Sequence, residues 1–381
     1  MAMATEQALS SPNARMHSEL SHNDAQMLTR GQILGNRFVV DYMLNVGGFG
    51  QVFVARDPCK SGRPVAVKVE SLKASIPLLH AEAKCLQQLT IAGQGSSSTP
   101  VVCFQGYGST ETVRYVIMDL LGRNVRQLKK QMPADRFSLA TSLWLMREMM
   151  GALEFVHRAG WIHGDVKPPN FCVSAWGPRR LLLVDFGMSR TYLESDGSMK
   201  RRRDSEPFHG TLRYASPRSH HGSDVCRWDD LWAIFFITVE NMLGSLPWRH
   251  SNDKGVVGTI KSTVDVLGAP LWGSVRPPYS LIALRETLTR ADADTCSFYC
   301  APPYEALLRH ITTDLSMIGW NDEWSLLDWQ AARIPPATPS IPAPPSPYMG
   351  GDAGCPPPPP STHYAPFVQT PGGPPDSVYF I

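Results

Sequence analysis

Ile162-His163-Gly164-Asp165-Val166-Lys167-Pro168-Pro169-Asn170-Phe171 is the stretch on which the fold reading turns. Asp165, Lys167 and Asn170 stand at i, i+2 and i+5, and the paired prolines bar the segment from continuing as a helix. Such a loop offers a carboxylate to orient a hydroxyl, an ammonium to neutralise a moving negative charge, and an amide oxygen to ligate a hard divalent cation. A plain surface turn is the bland alternative. The flanking sequence decides between them.

Downstream, Leu181-Leu182-Leu183-Val184 reads as a buried strand that runs into Asp185-Phe186-Gly187. A carboxylate at that strand end is placed to hold Mg²⁺ against phosphate oxygens. Upstream, Val65-Ala66-Val67-Lys68 is a short apolar strand ending in lysine, and Glu82 falls on the helix expected from Pro77 to Leu89. A lone lysine there snorkels to solvent; paired with Glu82 it becomes a clamp on the α- and β-phosphates. Farther upstream lies Leu44-Asn45-Val46-Gly47-Gly48-Phe49-Gly50-Gln51-Val52. Missing side chains at Gly47, Gly48 and Gly50 let backbone N–H groups approach phosphates, with Phe49 capping the tip. Asn45 takes the place of a first glycine, a substitution eased by the tolerance of Asn for positive φ. Alone, this segment is equally a hairpin turn. The ordered set Lys68, Glu82, Asp165, Asn170 and Asp185 is what phosphoryl transfer requires, since that chemistry is mostly positioning and charge stabilisation.

The chain around these groups has 381 residues, 43% of them hydrophobic, and a formal net charge of +2. That charge argues against general nucleic-acid binding. No apolar run reaches the roughly 18 residues of a membrane span, and the first residues do not pattern as a signal peptide. Of the eight cysteines only Cys296 and Cys300 are close, and no zinc-type spacing accompanies them. Scattered cysteines read as reduced thiols, so a cytoplasmic chain, also entering the nucleus, is the expectation. Residues 1–32 read as a disordered polar leader, and 331–381 as a proline-rich disordered tail. Between them, 33–330 forms one block: strands over about 33–120, then helices over about 121–330. The strands expected are Phe38–Leu44, Val52–Ala55, Val65–Val69, Val101–Phe104 and Arg114–Met118; Leu231–Leu243 is expected as a helix buried on every side.

The block resembles the casein kinase 1 superfamily of protein kinases, and within it the tau-tubulin kinases. Gly210-Thr211-Leu212-Arg213-Tyr214-Ala215-Ser216 carries the resemblance, continued by Trp228-Asp229-Asp230-Leu231-Trp232 and Gly244-Ser245-Leu246-Pro247-Trp248-Arg249. Val69-Glu70-Ser71 and Leu121-Gly122-Arg123-Asn124 agree with it. The resemblance implies an α+β, two-lobed protein kinase fold with a small β-rich N-lobe and a larger α-helical C-lobe. It implies a monomeric serine/threonine kinase acting on protein substrates with ATP and Mg²⁺, often at acidic or already phosphorylated sites. Asp165, Lys167, Lys68 and Glu82 become the catalytic set, and Asn170 and Asp185 the metal ligands. Leu44, Val46, Gly47, Gly48, Phe49, Gly50, Val52, Ala66 and Lys68 would surround ATP. Met118 would be the gatekeeper, with the Asp119 and Leu121 backbones on the adenine edge. Thr211 would touch Asp165 and Lys167, Arg213 would join an anion site, and Asp230 would brace the 163–165 loop. Lys200-Arg201-Arg202-Arg203 could add positive field there, although a solvated basic loop is the plainer reading and a nuclear import signal another.

Two departures bear on control. Gly164 stands where most of the superfamily has arginine, so no switch through a phosphorylated activation loop is expected, and glycine costs the loop rigidity. Residues 262–300 match weakly. The rival reading is a pseudokinase scaffold, in which the kinase fold and proline-rich tail serve protein binding. Pro336 to Pro339 and Pro342 to Pro345 would then be SH3 or WW ligands, and Val378-Tyr379-Phe380-Ile381 a PDZ ligand.

Overall fold

Alternating apolar and polar residues build the first third of the chain into a sheet. The computed structural model describes residues 26–333, apart from 49, 95–98 and 176. Numbered in chain order, the strands are β1 (Ile33–Leu34), β2 (Phe38–Gly47), β3 (Gly50–Asp57), β4 (Arg63–Ser71), β5 (Phe104–Ser109) and β6 (Val113–Asp119). They form one antiparallel sheet in the order β1-β2-β3-β4-β6-β5. Period-two alternation divides β4 between the faces. Val65, Val67 and Val69 join Phe38, Val40, Phe53 and Ile117 in a small core on one face. Ala66 belongs to the main core on the other, the face shared by Lys68 and Glu70.

Helix α1 (Leu79–Ala92) buries Leu79, Glu82, Ala83, Leu86 and Leu89, spaced for one helical face. Its N-cap, Leu78, has no capping side chain. Glu70 supplies the cap instead: its Oε1 accepts from Leu78 N at 2.8 Å and Leu79 N at 3.2 Å.

Helices dominate after Asp119. The C-terminal part contains α2 (Val125–Lys129), α3 (Leu139–Arg158), α4 (Arg227–Leu243), α5 (Lys254–Thr263), α6 (Ala269–Trp272), α7 (Tyr279–Ala293), α8 (Tyr304–Met317) and α9 (Asp328–Ala331). Two short ribbons join them: β7 (Trp161–Ile162) with β10 (Arg190–Thr191), and β8 (Phe171–Ser174) with β9 (Gly177–Leu183). Every residue of α4 from Arg227 to Asn241 is buried, the charged Arg227, Asp229, Asp230 and Glu240 included, while Met242 and Leu243 at the end of the expected buried run are half-buried. This is the two-lobed protein kinase fold.

Some boundaries differ from the sequence reading. Val101 makes only an isolated bridge to Leu183, and the expected Val101–Phe104 strand begins instead at Phe104. Residues 26–32 of the expected leader are described, and there Leu28 is 1% exposed in the small core and Met27 N donates to Gln51 Oε1 at 2.9 Å. Leu28 and its apolar neighbour Met27 both pack against this core. At the other end Trp329 packs edge-on against Phe137 and Trp144, and Asp328 accepts from Ser138 N at 2.6 Å and Oγ at 2.7 Å. The proline-rich tail, its PxxP runs and the last four residues lie outside the described residues. Cys85, Cys103, Cys172, Cys226, Cys296 and Cys300 carry free thiols; Cys59 is not in that set. Among the described residues no helix is long and apolar enough to cross a membrane.

Candidate active site

The register of β4 aims its polar residues at the cleft between the lobes. Lys68 is paired with Val52 of β3 and Val116 of β6, and Ala66 with Val54 and Met118. Lys68 Nζ donates to Glu82 Oε2 at 2.7 Å and to Asp185 Oδ1 at 2.7 Å. Strand, helix and a C-lobe loop therefore meet on one ammonium. Burial disfavours that ammonium, but the two carboxylates outweigh it and raise the Lys68 pKa above its ordinary value. For Glu82, 1% exposed, burial dominates and raises the carboxyl pKa despite Lys68. For Asp185 burial also works upward, but Lys68, with Lys167 and His163, prevails and holds its pKa low.

The 162–171 loop is not a plain turn. Asp165 Oδ1 accepts from Thr211 Oγ1 at 2.7 Å, and Oδ2 pairs with Lys167 Nζ. Thr211 and Lys167 are thus linked through the one carboxylate. Asn170 Nδ2 donates to Asp165 O at 3.0 Å, and the Asn170 carbonyl accepts from Val184 N at 2.8 Å, tying this loop to Asp185. Asp185 itself has a φ of 65°, a left-handed conformation that only a well-braced non-glycine residue holds.

The 162–171 loop is braced from α4. Asp230, 2% exposed, accepts from His163 N at 2.8 Å and Gly164 N at 3.0 Å. His157 Nε2 lies 2.9 Å from the same carboxylate, so that nitrogen carries the proton. Burial lowers the His157 pKa although Asp230 opposes it, which leaves the ring neutral and its Nδ1 an acceptor for the Tyr304 hydroxyl. Gly164 sits at φ +78°, and a Cβ there would approach Met188 O to 2.9 Å. Glycine fits this backbone, and the Asp230 strap supplies the rigidity that glycine was expected to cost.

In the glycine-rich segment, Gly47 pairs with Gly50 to close the β2–β3 hairpin. Gly50 has φ +148°, and a Cβ on it would collide with Val69 O at 2.0 Å. Asn45 corrects the sequence reading: it is paired with Val52 in extended β2 and does not need positive φ. Leu44 and Val46 are exposed and Val52 is half-buried, while Phe49 lies outside the described residues. Gly48 has open space around it. Met118 stands at the cleft end of β6, 9% exposed. The Asp119 N–H is spent on Cys103 O at 3.2 Å, so the expected backbone contact to an adenine edge would fall to its carbonyl. Leu121 packs half-buried against the main core beside Gly122, whose N–H donates to Val173 O at 2.9 Å.

The basic run is not a uniform solvated loop. Arg203 pairs with Glu206 at 2.6 Å and Asp224 at 2.9 Å, carboxylates it shares with Arg190. Arg213 lies 3.5 Å from Glu240 Oε1 and donates to Arg249 O at 3.3 Å, with more than a third of its side chain exposed. Glu240 also takes Lys129 at 3.2 Å and the Tyr214 hydroxyl at 2.8 Å.

Magnesium and ATP suit the groups present. Asn170 uses Nδ2 internally and keeps Oδ1 as a lone acceptor; Asp185 keeps its second carboxylate oxygen, on a side chain 37% exposed. Among the described residues no cluster of three or more His, Cys, Asp or Glu forms a self-contained metal site. Two hard oxygens match a cation that takes the rest of its shell from water and phosphate.

Residues 38–279 match the protein kinase domain family. The chain belongs to the protein kinases. It is 34% identical over 234 residues to a probable serine/threonine-protein kinase of Dictyostelium discoideum, covering 61% of this chain and 46% of that protein. It therefore spans about half the length of that relative. Two Caenorhabditis elegans proteins are also similar. One, named as a candidate casein kinase I, is 30% identical over 62% of this chain and 68% of its own length. The other, named as a candidate serine/threonine-protein kinase, is 31% identical over 74% of this chain and 79% of its own length. Domain and relatives together mark the chain as a protein serine/threonine kinase.

The sequence reading passed over His157, Tyr304 and Glu240. A histidine on a helix face reads as core, and nothing local to Tyr304 points 147 residues back to it. Glu240 inside the largely apolar run Leu231–Leu243 was the available signal, because a buried carboxylate needs partners.

Proposed function

We propose that this chain is a casein kinase 1-type enzyme, of the tau-tubulin kinase branch, that phosphorylates protein serine and threonine with Mg-ATP. The observation that carries the reading is Lys68 held at once by Glu82 and Asp185, beside an Asp165 oriented by Thr211 and Lys167. Lys68 would bind the α- and β-phosphates, and Asp185 and Asn170 the magnesium. The metal, when bound, neutralises charge developing on the phosphate oxygens. Asp165 accepts a hydrogen bond from the acceptor hydroxyl and points it at phosphorus, and Lys167 balances charge beside it. Thr211, on the segment that would face substrate, ties the position of that segment to Asp165.

Acidic or already phosphorylated substrates are supported by Arg213, whose guanidinium is partly exposed and shares Glu240 with Lys129. Arg203 contributes less, since Glu206 and Asp224 absorb its charge. The test is a degenerate peptide-library phosphorylation profile with Asp165→Asn as the control. Serine and threonine labelling enriched for acidic residues before the target, absent in the variant, is expected. Equal labelling by both proteins would sink the enzyme reading in favour of a scaffold.

A further inference from the structure

A cavity of about 410 Å³ lies outside the cleft, where the end of α3 and Tyr192 meet the starts of α4 and α8. Its size falls within the range of small-molecule sites. Its cations are unequally matched. Arg158 pairs with Glu154 at 2.6 Å, and Arg309 faces Glu305 at 3.9 Å. Arg227 is 7% exposed, and among the described residues it has no carboxylate partner. Its Nη2 donates to Tyr299 O at 3.0 Å and contacts Met199 Sδ at 3.8 Å, and its guanidinium lies 4.5 Å from the Tyr192 ring centroid. A buried guanidinium without a counter-ion is costly, and an anion beside it relieves that cost.

The rest of the wall is apolar and aromatic. Pro302, Pro303 and the Tyr304 ring supply a rim for a compact hydrophobic body. Tyr304, Glu305 and Ala306 form the first turn of α8, whose dipole adds positive potential. We propose that this cavity binds a small organic carboxylate, with its anion on the Arg227 guanidinium and its apolar body against Tyr304 and the Pro302-Pro303 rim. The occupant touches the first member of a relay. Tyr304 donates to His157, His157 donates to Asp230 at 2.9 Å, and Asp230 holds the His163 and Gly164 N–H groups of the catalytic loop.

The test uses the full chain, isotope-labelled on histidine, titrated with benzoate, neutral benzamide and cationic benzylamine. Benzoate should bind saturably and shift the His157 imidazole signals. Benzamide and benzylamine should bind at least about tenfold more weakly, the size expected for losing a charge-assisted hydrogen bond. Arg227→Met should weaken benzoate by a similar factor, and Arg227→Lys should restore part of it. If the Met variant fails to fold, wild type against the Lys variant carries the comparison. Saturating non-hydrolysable ATP analogue should leave the benzoate shifts in place. The proposal falls if benzoate does not saturate, if benzamide binds equally, or if a folded Arg227→Met protein binds as wild type does. Displacement by the ATP analogue would place the anion on Lys68 and overturn it too. None of these readouts needs phosphotransfer, so failure here is distinct from failure of the kinase reading.

Discussion

Two buried polar assemblies meet at the catalytic loop, and they are built on opposite principles. In the cleft, one ammonium, Lys68, faces two carboxylates, Glu82 and Asp185, drawn from both lobes. Negative charge is left over, on an aspartate still open to the cleft. Beneath the loop, the single carboxylate of Asp230 is saturated by neutral donors: His163 N, Gly164 N and His157 Nε2. The first assembly leaves a carboxylate oxygen of Asp185 open to the cleft, where the proposed function would put a cation and a polyphosphate. The second is finished in the fold. Charge imbalance therefore marks the working groups, and saturation marks the supporting ones.

Exchanging the two roles by mutation is the direct way to break this contrast. The largest effect is expected for Lys68→Met, which should lower kcat by about 10³-fold or more, in line with loss of a dedicated charge-stabilising group. The protein should keep a single cooperative melting transition. Full activity with a normal melt would remove Lys68 from the phosphate clamp.

Asp230→Ala should behave in the opposite way. It orphans three donors in a dry site, at about 3 kcal/mol or more of stability. Urea unfolding should report that loss, with the fall in kcat following from a loosened loop. A stable Asp230→Ala protein would show that the brace is redundant.

Arg213→Ala sharpens the comparison at the rim of the cleft, where a cation is only partly used. Preference for primed or acidic peptides should drop about tenfold, the scale of one charge-assisted contact, while turnover on unprimed peptides changes less. A peptide-array profile identical to wild type would refute the anion role.

The smallest expected effect is a pH dependence in the support. Burial depresses the folded pKa of His157, so the folded state binds fewer protons than the unfolded state below about pH 6.5. Stability from neutral His157 is therefore present above that pH and lost as pH falls below it. Wild type should lose more melting temperature than His157→Gln between pH 7.5 and 5.5. Parallel losses would assign the acid sensitivity elsewhere.

Much of the cleft was legible in the chain. Glycines, prolines and period-two alternation fix local backbone and facing, so Lys68, Asp165, Asn170 and Asp185 could be found from spacing and residue type. The strap was only half legible. Asp230 followed from a resemblance, but its partner His157 lies 73 residues before it, and Tyr304, which bonds His157, lies 74 after it. Asn45 shows the limit in the other direction, for the tolerance of positive φ invoked to excuse the missing glycine is not used: Asn45 pairs with Val52 in extended strand just after a register irregularity.

By itself, then, the sequence determined which groups are available for phosphoryl transfer and on which local elements they ride. Those properties depend on neighbours a few residues away. Tertiary structure alone decided which of them share a proton or a charge. Lys68 reaches Asp185 across 117 residues, Arg203 spends its charge on Glu206 and Asp224, and Arg227 is buried with no carboxylate to meet it among the described residues. Pairing and desolvation depend on distance in space, and a linear chain does not specify that distance until its core has packed.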